Sequence, residues 1–240
     1  MDIMSVITNM ETNDKLAFGH REFRPKASIL DPTYTFTVNA YHTAAGTVDI
    51  MSHTLESYFS NVEAYMQALM AEGILKTCIA FGGRAVENPE DYEARANLMW
   101  ASSWAINNFL TWGNPVAWTV HPMEHELSAY YDITHGAGLA ILTPPWMRYV
   151  LNADTVKKFK EYGVNVWNLD PKGDDFEVAN AAIEKTAEYF KKLGMPSTLK
   201  EVGIGPELLD TMAEKAAKSL KGAYVELTKD QVKEIYKAAL

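Results

Sequence analysis

The chain has 240 residues, 48% of them apolar, with 22 Lys and Arg against 31 Asp and Glu for a formal net charge of −9. That is enough apolar material for one large core plus an appendage, and the acidic balance argues against nucleic acid or an anionic membrane surface as a partner. A single cysteine, Cys78, excludes an intramolecular disulfide and a cysteine-based zinc knuckle; in its apolar surroundings it reads as a small buried hydrophobe.

Residues 1–9 lack the basic and long apolar segments of a signal peptide, and no run approaches the about 20 apolar residues of a membrane span, so a reduced cytoplasmic setting is expected. Ser5-Val-Ile-Thr8 and Lys26-Ala-Ser-Ile-Leu30 are short β-type runs, the second closed by Asp31-Pro32. Residues 1–39 therefore read as the tail end of a sheet. Two or three strands without crossover helices cannot bury both faces, so this segment calls for partners.

From residue 40 the apolar period turns helical almost to the end, and 40–240 reads as an all-helical domain. Helices are expected near 46–59, 62–87, 90–112, 119–131, 135–151, 154–166, 175–193, 206–219 and 228–239. Asn88-Pro89, Gly113-Asn114-Pro115, Gly173-Asp174 and Gly194-Met195-Pro196 supply the stops. Thr228-Lys-Asp-Gln231 is a capping-box pattern, and the Lys/Glu-rich helices after residue 154 read as amphipathic outer helices. There is no internal repeat.

Four of the six histidines and one aspartate fall into two clusters, Val48-Asp49-Ile-Met-Ser-His53 and His121-Pro-Met-Glu-His125 followed by Tyr131-Asp-Ile-Thr-His135. Asp49 and His53 are four apart, which stacks both side chains on one helix face within reach of a single ion. His121 and His125 repeat that spacing. His135 stands where one helix ends and the Gly136-Ala-Gly138 turn begins another. Imidazoles with one carboxylate suit Fe²⁺ or Zn²⁺ rather than Ca²⁺ or Mg²⁺, and leave the ion electrophilic toward an alcohol or carbonyl oxygen. Spacing does not say which three of the four histidines ligate. Pro122 lacks an N–H, so His121 must open its helix if the geometry is to survive.

Glu124, Glu126 and Asp132 read as surface acids of an acidic chain, with the option of orienting an imidazole N–H. His20 and His42 stand outside the clusters and read as structural. Trp100, Trp104, Trp112 and Trp118 read as core packing, with the option that part of the set walls an apolar substrate pocket.

Three stretches, 44–59, 125–144 and 193–203, resemble the iron-containing (group III) alcohol dehydrogenases, the second most closely the butanol dehydrogenase subgroup. The specific signature is the His-x-x-x-His pair followed after nine residues by His-Gly, and the similarity runs over the whole chain. The resemblance implies a mainly α fold, a dehydroquinate synthase-like helical domain (40–240) preceded by a short β remnant of a Rossmann-like domain (1–39). It implies Asp49, His53, His121 and His135 as ligands of Fe²⁺ or Zn²⁺, and His125 beside the nicotinamide as a proton relay, with His42 as a further candidate cofactor contact. It also implies hydride transfer between NAD(P)H and a short-chain alcohol or aldehyde, in a homodimer. The family's Gly-Gly-Gly-Ser phosphate loop does not occur in these 240 residues, so the chain is expected to be inactive alone. Competing expectations are a non-catalytic metal-binding or oligomerising helical module, and a metal hydrolase, which the absence of a His-Glu-x-x-His pattern disfavours.

Overall fold

The computed structural model describes residues 3–240. The chain opens with an antiparallel hairpin, β1 (Met4–Asn9) and β2 (Asp14–Gly19), in which Val6 faces Ala17 and Ile7 faces Leu16. The turn between them needs a left-handed residue, and Asn13 supplies it at φ 50°. The run 26–30, expected as a strand, is not one: Ile29 is almost wholly exposed, and among the described residues no neighbouring strand is available to take its backbone hydrogen bonds.

Nine α-helices follow among the described residues, each at a place the apolar period predicts. They are α1 (Ala40–Tyr58), α2 (Tyr65–Glu87), α3 (Tyr92–Ile106), α4 (Val120–Tyr131), α5 (His135–Val150), α6 (Val156–Trp167), α7 (Asp175–Lys192), α8 (Leu209–Ala216) and α9 (Lys229–Ala238). The ends differ most in two places. Helix α1 starts six residues before the expected 46, because the Asn39 side chain accepts the His42 N–H and caps it. Helix α3 stops at Ile106 instead of 112, where Asn108 turns left-handed at φ 73°. The expected capping box at Thr228 is present on α9.

Helices α1 and α5 form the centre of a single apolar core. Val48, Met51 and Leu55 of α1 pack with Leu139, Ile141, Leu142 and Trp146 of α5, and α2, α4, α7 and α9 close around them. Cys78 is buried in this core, as its surroundings suggested. Trp100 and Trp112 lie more than half exposed instead of in the core, since α3 is an outer helix that ends before Trp112. The hairpin lies against α4 and is tied to α8 by Lys215, whose Nζ donates to the Asn13 carbonyl at 2.8 Å and pairs with Asp14 at 2.7 Å. No described helix is long and apolar enough to cross a membrane.

Candidate metal centre

Three helices bring the candidate donors together. On α1, Asp49 and His53 share a face one turn apart. Helix α4 contributes His121 in its first turn, where Pro122 costs nothing because that N–H would have no helical partner. His135 is the first residue of α5, entered through the left-handed Asp132 that ends α4. Gly136 and Gly138 lie inside that helix rather than in a turn. A Cβ at Gly136 would fall on the Ala45 carbonyl of α1, and one at Gly138 would meet the Glu124 side chain, so these glycines set how closely α5 approaches its neighbours.

The resulting geometry is convergent. Asp49 Oδ1 lies 3.4 Å from His53 Nε2, 3.5 Å from His121 Nε2 and 3.6 Å from His135 Nε2. Asp49 Oδ1 and His121 Nε2 are buried and have no hydrogen-bond partner. Unpartnered buried polar atoms are costly, and an ion between them removes the cost. In a tetrahedral site with bonds of about 2.1 Å, adjacent donors stand about 3.4 Å apart, which is close to the separation of Asp49 Oδ1 from each of the three Nε2 atoms and is what a divalent Fe or Zn ion would require. Three imidazoles and one carboxylate match those metals in chemistry as well. A second grouping, Glu124, His125 and His135, is also compact. The first such grouping is Asp49, His53 and His121; His135 falls in the second, where Glu124 meets its Nδ1 as a hydrogen-bond acceptor and leaves its Nε2 3.6 Å from Asp49 Oδ1.

Electrostatics sharpen the arrangement. Burial alone would raise the Asp49 carboxyl, but His121, His53 and His135 together hold it well below the usual carboxylate range. Burial lowers His53 to about 3, with His121 adding to the effect. At His121 burial is outweighed by the Glu56 and Asp49 carboxylates, which raise it to about 9. His125, one turn beyond His121, is lowered to about 3 by burial and by Lys15.

Behind the rings stand two carboxylates. Glu124, read from sequence as a surface acid, is fully buried; it accepts hydrogen bonds from His135 Nδ1 and Ser128 Oγ, and Lys15 Nζ lies 3.6 Å away. Glu56 was missed altogether. Its Oε2 lies 2.5 Å from His121 Nδ1, and its Oε1 accepts the backbone N–H groups of Thr119, at 2.6 Å, and Val120. A signal existed, since Asp49, His53 and Glu56 fall on one helical stripe. Glu126 borders the site, whereas Asp132 is an exposed cap residue.

Asp49, His53, His121, His125 and His135 all open onto one cavity of about 660 Å³. Its walls include Ile106, Trp118 and Pro122, together with Met4, Val6 and Lys15 of the hairpin. Trp118 also meets the rings of His53 and His121, with centroids 4.9 and 4.8 Å away. His42 is not brought to this cavity; it is exposed, packs on Tyr41 and lines a separate cavity on the other side of Asp49. His20 accepts from the Glu22 N–H, a structural cap.

This organisation is shared with proteins of known family. NADH-dependent butanol dehydrogenase A of Clostridium acetobutylicum is 59% identical over 241 residues, covering 99% of this chain, and the NADPH-dependent aldehyde reductase YqhD of Escherichia coli is 38% identical over 242. The crystal structure of NADH-dependent butanol dehydrogenase A from Thermotoga maritima superposes on 100% of this chain at 36% identity with a TM-score of 0.92. The chain spans 62% of the length of the C. acetobutylicum and T. maritima proteins. The sequence pattern of the Fe-containing alcohol dehydrogenase family, C-terminal, matches residues 43–240, and the chain belongs to that family as its C-terminal, helical part.

Proposed function

We propose that residues 40–240 are the metal-binding domain of a butanol dehydrogenase-like alcohol dehydrogenase, and that residues 1–39 are the end of its nucleotide-binding domain. Its substrates are short-chain primary alcohols and aldehydes, and it works as a cytoplasmic homodimer. The reading is carried by the convergence of three imidazole Nε2 atoms on one carboxylate oxygen at 3.4–3.6 Å, inside a cavity, in a chain of this family. Asp49, His53, His121 and His135 would hold Fe²⁺ or Zn²⁺, between which the donor set does not choose. When bound, the ion supplies Lewis acidity toward a substrate oxygen, and a nicotinamide cofactor, NADH or NADPH, supplies or takes up the hydride.

The remaining work falls to the chain itself. Asp49 contributes the only negative charge among the four donors, and the three histidines remain neutral donors once His121 has released its proton. His125 faces the same cavity with a low pKa, so its ring is neutral at physiological pH and serves as a hydrogen-bonding relay for the proton that accompanies hydride transfer. Ile106, Trp118, Pro122 and Val6 form apolar walls that take up an alkyl chain and exclude water.

Metal content after anaerobic purification, measured by mass spectrometry on wild type and His135→Ala, tests the reading. The expected result is near-stoichiometric Fe or Zn in the wild type and its loss in the variant; no metal in either would overturn the assignment. With butanal and NADH, the 240-residue chain by itself is expected to turn over far below family-like rates, since it contains no Gly-Gly-Gly-Ser loop to position the cofactor.

A further inference from the structure

We infer that Glu56 and Glu124 are positioning residues that hold the rings of His121 and His135 with Nδ1 turned inward to a carboxylate and Nε2 turned toward Asp49. The inference rests on the metal reading above and extends it to residues that carry no donor atom of their own. Each carboxylate is buried and stands behind a different ring: Glu56 lies on α1, three residues after His53, and Glu124 on α4, three residues after His121. An imidazole whose Nδ1–H is committed to a carboxylate must present Nε2 as its acceptor, so these contacts select the tautomer that a metal requires. They also place negative charge behind the rings, which makes both nitrogens better donors to a cation.

The surroundings hold the two carboxylates in place. Glu124 receives a second hydrogen bond from Ser128 Oγ, and α5 carries glycine at 138 where any Cβ would come within 2.7 Å of the Glu124 side chain. Glu56 is fixed by the backbone N–H groups at the start of α4, a helix that has no side-chain cap of its own. Through Glu56, the position of His121 on α4 is set from α1, the helix that carries Asp49 and His53. His53 has no such carboxylate; its Nδ1 is buried without a partner, and its ring rests against Trp118.

A purely structural role would change folding stability and leave metal affinity alone, so affinity is the discriminating readout. The protein is stripped with a chelator and titrated with Co²⁺, following visible absorption, on wild type, Glu124→Gln, Glu56→Gln and Glu72→Gln. Glu72 is a control: it is buried but bonds Tyr58 and Asn165, away from the histidines. The expected result is Co²⁺ affinity weaker by about 10–100-fold in Glu124→Gln and Glu56→Gln, with an altered absorption band and unchanged far-UV circular dichroism, and wild-type affinity in Glu72→Gln. Glu56→Gln is also expected to melt earlier, because it weakens the cap of α4; should either variant fail to fold, the other carries the test. Wild-type affinity in the folded variants would overturn the positioning role and leave the metal reading standing. A wild-type protein that binds no Co²⁺ would overturn both.

Discussion

Glu124 and Glu126 are two residues apart on α4 and meet different surroundings. Glu124 has hydrogen-bond donors on both oxygens, whereas Glu126 Oε2 is buried without a hydrogen bond and has Lys215 Nζ only at 3.8 Å. Burial raises the Glu126 carboxyl from its ordinary 4.5 to about 7, against the downward pull of Lys215. The folded state thus keeps a proton that the unfolded chain has already released. Stability from this group is fully present below pH 4.5 and is lost as pH rises through about 7. Glu126→Gln stays neutral at every pH, so in urea unfolding of the metal-free protein it should gain on wild type between pH 5 and pH 8. A difference that does not change over that interval would refute the assignment. None of this is visible in the run Glu124-His-Glu126, where both acids look equally suited to the surface.

At the scale of elements, the approach of α5 to α1 decides whether His135 can meet Asp49 and His53. The point of contact is Gly136, where a Cβ would lie 2.1 Å from the Ala45 carbonyl oxygen. Backbone cannot yield as a side-chain tip does, so Gly136→Ala should force the helices apart. Overpacking of this kind costs about 1–3 kcal/mol, and the expected loss in urea unfolding is at the upper end or beyond, together with weaker metal binding. Gly73→Ala on α2 is the matched control: nothing lies within 4 Å of its Cβ, and an exposed helical glycine replaced by alanine should gain up to about 1 kcal/mol. Equal effects from the two substitutions would remove the steric argument. The spacing of apolar residues locates α1 and α5 well, but the reason for glycine at 136 and 138 lies in what stands opposite, which belongs to other segments of the chain.

For the whole molecule, the hairpin is the element with the least support. Ile7 and Leu16 face each other across it and are 58% and 64% exposed, with Phe18 of β2 exposed as well. A two-stranded sheet with an uncovered apolar face is marginal by itself and favours association. The 240-residue chain should therefore self-associate with increasing concentration in sedimentation velocity, and Ile7→Lys with Leu16→Lys should reduce this. A wild-type monomer at every concentration would refute it.

Local pattern determined a great deal of this protein. Apolar period and the Gly, Pro and Asn stops located all nine described helices, because helix formation and termination depend on neighbours within a few residues. The i,i+4 histidine and aspartate pairs marked the candidate donors for the same reason. The short run 26–30 misled, because a strand exists only when another chain segment takes its hydrogen bonds. Tertiary structure alone decided that Asp49 Oδ1 stands among three Nε2 atoms, that His125 opens onto the cavity while His42 does not, and that Glu56 reaches from α1 to the start of α4. These meetings join residues as far apart in sequence as 49 and 135, and they depend on how closely helices can pack, a property of opposing surfaces and not of any one segment.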